Sequence, residues 1–176
     1  GAAPFNARPS IVGEGVDVDV TSKGVVVLSV DGKLITIGPV FALTSGGSLD
    51  CNELPSPDGV RFAGVSACGQ TMIAWTAEGA AYCIGNGLTN GLGADCMALS
   101  PLVGLPPVSK VTVGSRHAAA VTLDGKVFTW GDGLSGTLGQ GSRKGHKTPT
   151  EVMSFTEAGL CAIDVGCTRG QPDPKR

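Results

Sequence analysis

Two histidines, six cysteines, one basic run and two glycine-rich loops are the residues of this chain whose types could do chemistry. The basic run, Ser142-Arg143-Lys144-Gly145-His146-Lys147, stands between a glycine loop and a proline. Arg143, Lys144, His146 and Lys147 would suit a phosphate or an acidic partner; the plainer alternative is a solvated loop. The stretches GNGLTNGLG (85–93) and GDGLSGTLG (131–139) look like phosphate cradles. No Lys-Ser or Lys-Thr follows either, and no helix-forming segment opens after them, so the nucleotide reading fails on both requirements. The cysteines Cys51, Cys68, Cys83, Cys96, Cys161 and Cys167 form no CxxC pair. With so few histidines, zinc and redox motifs are unsupported, and small buried thiols of an intracellular protein are expected, a Cys161–Cys167 bridge being left open. Ser135 lacks the spacing of a nucleophile elbow, and His117 and His146 lie in unrelated places. No catalytic residue, no metal and no cofactor is expected, and the chain is read as a non-enzyme. Asp17 and Asp19 alternate with Val16, Val18 and Val20, which predicts carboxylates facing solvent, unpaired for acid–base work.

The elements that carry these residues repeat. Val18–Gly38, Val65–Gly85 and Val111–Gly131 align without a gap, their starts 47 and 46 residues apart. Each copy begins with an alternating strand (Val18 and Val20, Val65 and Ala67, Val111 and Val113) and continues as a hairpin. In the third copy Ala118–Leu123 runs into Asp124-Gly125, and Lys126–Trp130 returns. A two-residue turn of that kind needs positive φ at its centre, which Gly supplies. Asp31-Gly32 and Glu78-Gly79 hold the same place, and six residues on from each turn glycine come Gly38, Gly85 and Gly131. Trp75 and Trp130 sit inside strands and are expected to be buried. His117 is read as a brace within its repeat. A further copy begins at Ile163. A unit of about 46 residues with some four short strands is one blade of a propeller.

Composition agrees. The chain has 176 residues with 28 Gly and 11 Pro, and it is 41% hydrophobic, 16% charged and 5% aromatic. That mixture argues against disorder and coiled coils and for short strands joined by tight turns. A net charge of −2 gives no whole-chain pull on nucleic acid, and no apolar run approaches the length of a membrane helix. The sequence opens without Met and without a signal-peptide pattern, as a processed or excised piece would.

The third copy, Val111–Gly141 followed by Thr148-Pro149 and Val152, resembles a repeat of the regulator-of-chromosome-condensation family. Gly114, His117, Asp124, Gly125, Trp130, Gly131, Gly136, Leu138, Gly139 and Gly141 fall on that pattern. The second copy departs from it at Cys68, Thr71 and Ile84, and the first matches through its hairpin alone. The resemblance implies an all-β, incomplete β-propeller, about three four-stranded blades of a normally seven-bladed ring. The expected divisions are a divergent blade at 16–59, a second at 60–107 and the best-matching one at 108–160. Residues 1–15 would form an extension or a strand of a preceding blade, and 161–176 the first strand of a further one. It implies a protein-interaction module with protein partners, which include a Ran-like small GTPase in nucleotide exchange. The alternative is a structural subunit of a large complex, with remaining blades in cis or in trans. Nucleic acid and membrane partners are not expected. The compartment implied is intracellular, nucleus or cytoplasm, with an organelle left open.

Overall fold

The computed structural model describes residues 14–38, 40 and 51–153. The expected strand at Ile163, the residues 1–13 and the Cys161–Cys167 pair lie outside the described residues.

The described chain is all-β, twelve strands in three four-stranded antiparallel sheets. The first sheet is β1 (Gly15–Val20), β2 (Val25–Ser29), β3 (Leu34–Ile37) and β4 (Cys51–Glu53), paired in that order. The second is β5 (Phe62–Cys68), β6 (Thr71–Thr76), β7 (Ala81–Gly85) and β8 (Cys96–Pro101). The third is β9 (Val108–Val113), β10 (His117–Thr122), β11 (Val127–Gly131) and β12 (His146–Glu151). Each is a meander whose neighbours in sequence are neighbours in space, as short connections favour. The hairpins pair in the register that the Asp-Gly turns predict: Ala118 faces Trp130 and Val121 faces Val127, around Gly125 at φ 83°.

Apolar residues on alternate positions bury against the neighbouring sheet, and two cores result. Val26, Leu28 and Leu34 of the first sheet pack with Val65, Ala67, Met72, Ala74 and Ile84 of the second. From its other face the second sheet sends Ile73, Trp75, Ala81 and Cys83 against Val111, Val113, Ala118, Phe128 and Trp130 of the third. The second sheet is thus covered on both faces. Trp75 and Trp130 are both buried, Trp130 completely.

The innermost strands add polar locks to the seams. The Oδ2 of Asp19 accepts the Ala67 N–H at 2.8 Å and the Ser66 hydroxyl at 3.3 Å, while its Oδ1 accepts the Val20 N–H at 2.8 Å. Asp17 does the same between Val18 and Val65, the second contact being long at 3.5 Å. One repeat later, the Ser66 hydroxyl accepts the Val113 N–H at 3.0 Å. This corrects the expectation of a solvent-facing carboxylate at Asp19, which is half-buried against the second sheet; Asp17 is exposed, as are Val16, Val18 and Val20 at 63%, 61% and 56%. The physical reason is that the inner-edge N–H groups of β5 need acceptors, and only the strand beside them can supply any.

The cysteine expectation is also corrected at one position. Cys68 is disulfide-bonded, whereas Cys51, Cys83 and Cys96 are free thiols. Spacing along the chain carries no information about which distant sulfurs meet.

Candidate functional site

The strand directions send the inner-hairpin turns of the three sheets, with the glycine loops of the second and third, to one end, and the turns that carry Gly32, Gly79 and Gly125 to the other. The glycine-loop end is built mostly from backbone. At the close of β7, Gly85 has φ 112°, and a Cβ there would lie 1.8 Å from the Gln70 carbonyl oxygen; Gly131, at φ 109°, would clash with the Arg116 carbonyl at 2.4 Å. Strand and turn cross so closely that no side chain fits. Gly38 ends β3 in the same left-handed region.

Asn90, fully buried, knits the loop of the second sheet: its Nδ2 donates to the Gly85 and Ala94 carbonyls, and its Oδ1 accepts the Leu92 N–H. The loop then reaches the next sheet. Trp130 Nε1–H donates to the Thr89 carbonyl at 2.8 Å, and the Thr89 and Thr71 hydroxyls bond at 2.6 Å. The loop of the third sheet is pinned internally. The Asp132 Oδ1 accepts the Leu134 N–H, and Thr129 donates to the carbonyl of buried Leu138. Gly139 turns there at φ 65°.

Charge separates along the same axis. Among the described residues the glycine-loop end carries Lys23, Arg116, Arg143, Lys144 and Lys147 against Asp95 and Asp132. The opposite end carries Glu14, Asp31, Glu53, Asp58, Glu78, Asp124 and Glu151 against Lys33, Arg61 and Lys126. Each cation of that acidic end has a carboxylate partner: Lys33 with Glu53, Arg61 with Asp31, Lys126 with Glu151. At the basic end Arg116 grips Asp132 at 2.6 Å. The Leu134 N–H, and after it Arg116, hold the Asp132 carboxyl below its ordinary value. Among the described residues Lys23, Arg143, Lys144 and Lys147 make no ion pair.

The residues singled out from sequence fall as follows. Arg143, Lys144 and Lys147 are exposed, and half-buried His146 opens β12 opposite Gly131. His117 opens β10 beside Gly131, its carbonyl accepting the Gly114 N–H at 2.8 Å; its imidazole makes no hydrogen bond among the described residues. Asp31-Gly32, Gly79 and Asp124-Gly125 form the hairpin turns at the acidic end, away from the basic loop. Sequence reasoning missed Lys23 and Arg116. The signal was available, because Lys23, Gln70 and Arg116 occupy one position of the three copies. Among the described residues no group of His, Cys, Asp or Glu could hold a metal ion. No helix there is long and apolar enough to cross a membrane.

Sheets of this build, repeated at this interval and locked edge to edge, define a β-propeller repeat protein. The comparisons give the kind of repeat. Residues 124–170 match the family model described as "Regulator of chromosome condensation (RCC1) repeat", and residues 108–137 match a second model of that description. The chain is 31% identical over 144 residues to the RCC1 domain-containing protein RUG3, mitochondrial, of Arabidopsis thaliana, covering 77% of this chain and 32% of that protein. Among solved structures it superposes on human WBSCR16 with a TM-score of 0.69 at 22% identity, covering 80% of this chain and 40% of that one. On Prp20p of Saccharomyces cerevisiae the TM-score is 0.64 at 20% identity, covering 78% and 38%. The chain belongs to the regulator-of-chromosome-condensation repeat family. It spans about a third of the length of the relative RUG3.

Proposed function

We propose that the chain is a non-catalytic interaction module that holds a protein partner on its glycine-loop face. One observation carries the reading: Lys23, Arg143, Lys144 and Lys147 lack carboxylate partners among the described residues and stand at one end of the sheets. Unneutralised cations on pinned loops attract an acidic surface and speed its encounter. Arg143, Lys144, His146 and Lys147 are the contacts, with Lys23 and Arg116 beside them. The partner favoured is a Ran-like small GTPase, the chain forming part of a guanine-nucleotide exchange factor. Prp20p, studied for its binding to Gsp1p and histones, supports protein ligands as a class. A net charge of −2 makes nucleic acid a poorer fit. The working compartment is intracellular, an organelle included; RUG3 is mitochondrial.

Two measurements test this. Release of fluorescent GDP from a Ran-type GTPase accelerates in the presence of the chain if it carries exchange activity, and an intrinsic rate limits it to binding. Retention on immobilised polyglutamate falls as salt rises past about 0.15 M, where screening shortens to ~8 Å, and falls further in R143Q/K144Q/K147Q. Equal retention of that variant removes the basic loop from the proposal.

A second reading, a structural subunit within a larger assembly, has its own observation. Val18 and Val20 are exposed at positions whose counterparts Val65, Ala67, Val111 and Val113 are 1–4% exposed. Ile37 is 39% exposed where Ile84 and Trp130 are fully buried. Such an aliphatic stripe favours association. A stable monomer by light scattering overturns this reading and leaves the first untouched.

A further inference from the structure

At the glycine-loop end of the seam between the first two sheets lies a cavity of about 120 Å³, lined among others by Lys23, Gln70, Asp95 and Cys96. Cys96 opens β8 and is half-buried at this wall; Cys83, on the paired strand β7, lies behind it and is fully buried. Both are free thiols. Cys96 donates to the Cys83 carbonyl at 3.4 Å and receives the Asn90 amide at 3.8 Å. Cys83 donates to the Ser100 carbonyl at 3.7 Å, and the Cys96 sulfur stands on the backbone of the residue whose own sulfur lies behind it.

The repeat supplies an internal comparison. Thr36 and Thr129 hold the position of Cys83 in the first and third sheets. Thr36 donates to the Asn52 carbonyl at 3.2 Å and Thr129 to Leu138 at 2.7 Å. The register gives His146 the place of Cys96 in the third sheet. The scaffold therefore asks for a hydroxyl at the inner position and for no sulfur at the outer one. A thiol is the weaker donor. A pair of them in one sheet only, one sulfur at a solvent-reaching wall and hydrogen-bonded to the backbone of the residue that carries the other, is an arrangement the fold does not need.

We propose that Cys96 is a peroxide-reactive thiol and Cys83 its resolving partner, the two closing to an intrachain disulfide. The oxidant is hydrogen peroxide or an organic hydroperoxide. The Cys96 thiolate attacks the peroxide, giving the Cys96 sulfenic acid and hydroxide, which takes up the proton released when Cys96 ionised. Cys83 sulfur then displaces the sulfenic oxygen, and its own proton leaves with that oxygen as water. Two thiols and one peroxide become one disulfide and two waters. The order follows from access, since Cys96 meets the cavity. Burial, and after it the charge and hydrogen bond of Cys96, push the Cys83 thiol up, so Cys83 keeps its proton until the second step. The product ties β7 to the first residue of β8, where the loop that holds Trp130 returns to the sheet.

The test is treatment of the purified chain with a small excess of hydrogen peroxide, alkylation of remaining thiols, and digestion that cuts before Asp95, separating the two cysteines. The expected result is a loss of two hydrogens, a Cys83–Cys96 linked peptide, and full reversal by a thiol reductant. Cys83→Thr, a replacement the other sheets already carry, should leave Cys96 as a sulfenic acid trapped by dimedone. Cys96→Ser should leave Cys83 reduced. A wild-type chain in which Cys96 oxidises without linking to Cys83, in which Cys83 reacts while Cys96 does not, or in which neither reacts, overturns the proposal.

Discussion

Trp130 shows how one side chain does two tasks. Its rings fill the seam between the second and third sheets, and its N–H satisfies a loop carbonyl that has turned away from any strand. Trp130→Phe keeps most of the packing and strands the Thr89 carbonyl, so unfolding midpoints in urea should report a loss of about 1–3 kcal/mol. The glycines make a sharper contrast. Gly125 is left-handed at φ 83° with nothing within 4 Å of a Cβ, so Gly125→Ala should cost about 1 kcal/mol. Gly131 adds a clash with the Arg116 carbonyl, and Gly131→Ala should cost at least about 2 kcal/mol in the same assay. The hairpin carboxylates carry a pH dependence. Asp31 and Asp124 sit below their ordinary value of 3.8, first because the Ser29 and Thr122 hydroxyls donate to them. A depressed carboxyl stabilises the fold above its unfolded pKa and loses that contribution as pH falls through the folded one. Stability should therefore drop below about pH 4, and Ser29→Ala with Thr122→Val should flatten the drop in urea titrations taken from pH 5 downward.

Among elements, the seams decide. Asp19→Ala removes the acceptor of the Ala67 N–H and leaves that inner-edge group without its bond; a loss of about 1 kcal/mol and faster hydrogen exchange at Ala67 should follow, with Ala119 in β10 unaffected. The seam also marks where sequence reasoning stopped. Strand limits, hairpin register and turn glycines were legible, because each depends on residues a few positions apart: Asp124-Gly125 turns the chain whatever lies around it. The orientation of Asp19 was not. Alternation assigns residues to two faces but does not say what each face meets, and in a stack of sheets either face can be interior. Asp19, half-buried, serves the edge beside it, whereas Asp17 stays exposed. The disulfide of Cys68 escaped as well, since no CxxC or similar spacing marks that cysteine.

For the whole molecule, the sum of charges conceals their arrangement. A net of −2 gives no direction to any field, yet cations gather at one end of the sheets and carboxylates at the other. The basic run Arg143–Lys147 was visible in the sequence; that Lys23 joins it from more than a hundred residues away required the meander, which returns every inner turn to the same end. If the cations that make no ion pair among the described residues hold the partner proposed above, raising salt should weaken polyglutamate binding while leaving the urea midpoint nearly unchanged. Nearly unchanged affinity between about 50 and 300 mM salt would contradict that assignment.

The two cores share the second sheet and join its neighbours to it separately. Injury should then stay where it is inflicted. A chain weakened between its first and second sheets would shed the first while the remainder kept its shape, and a protease would nick the Pro55–Gly59 linker long before it reached the tryptophans. Architectures assembled by adjacency fail like a row of books that has lost an end, by leaning and slipping one member at a time.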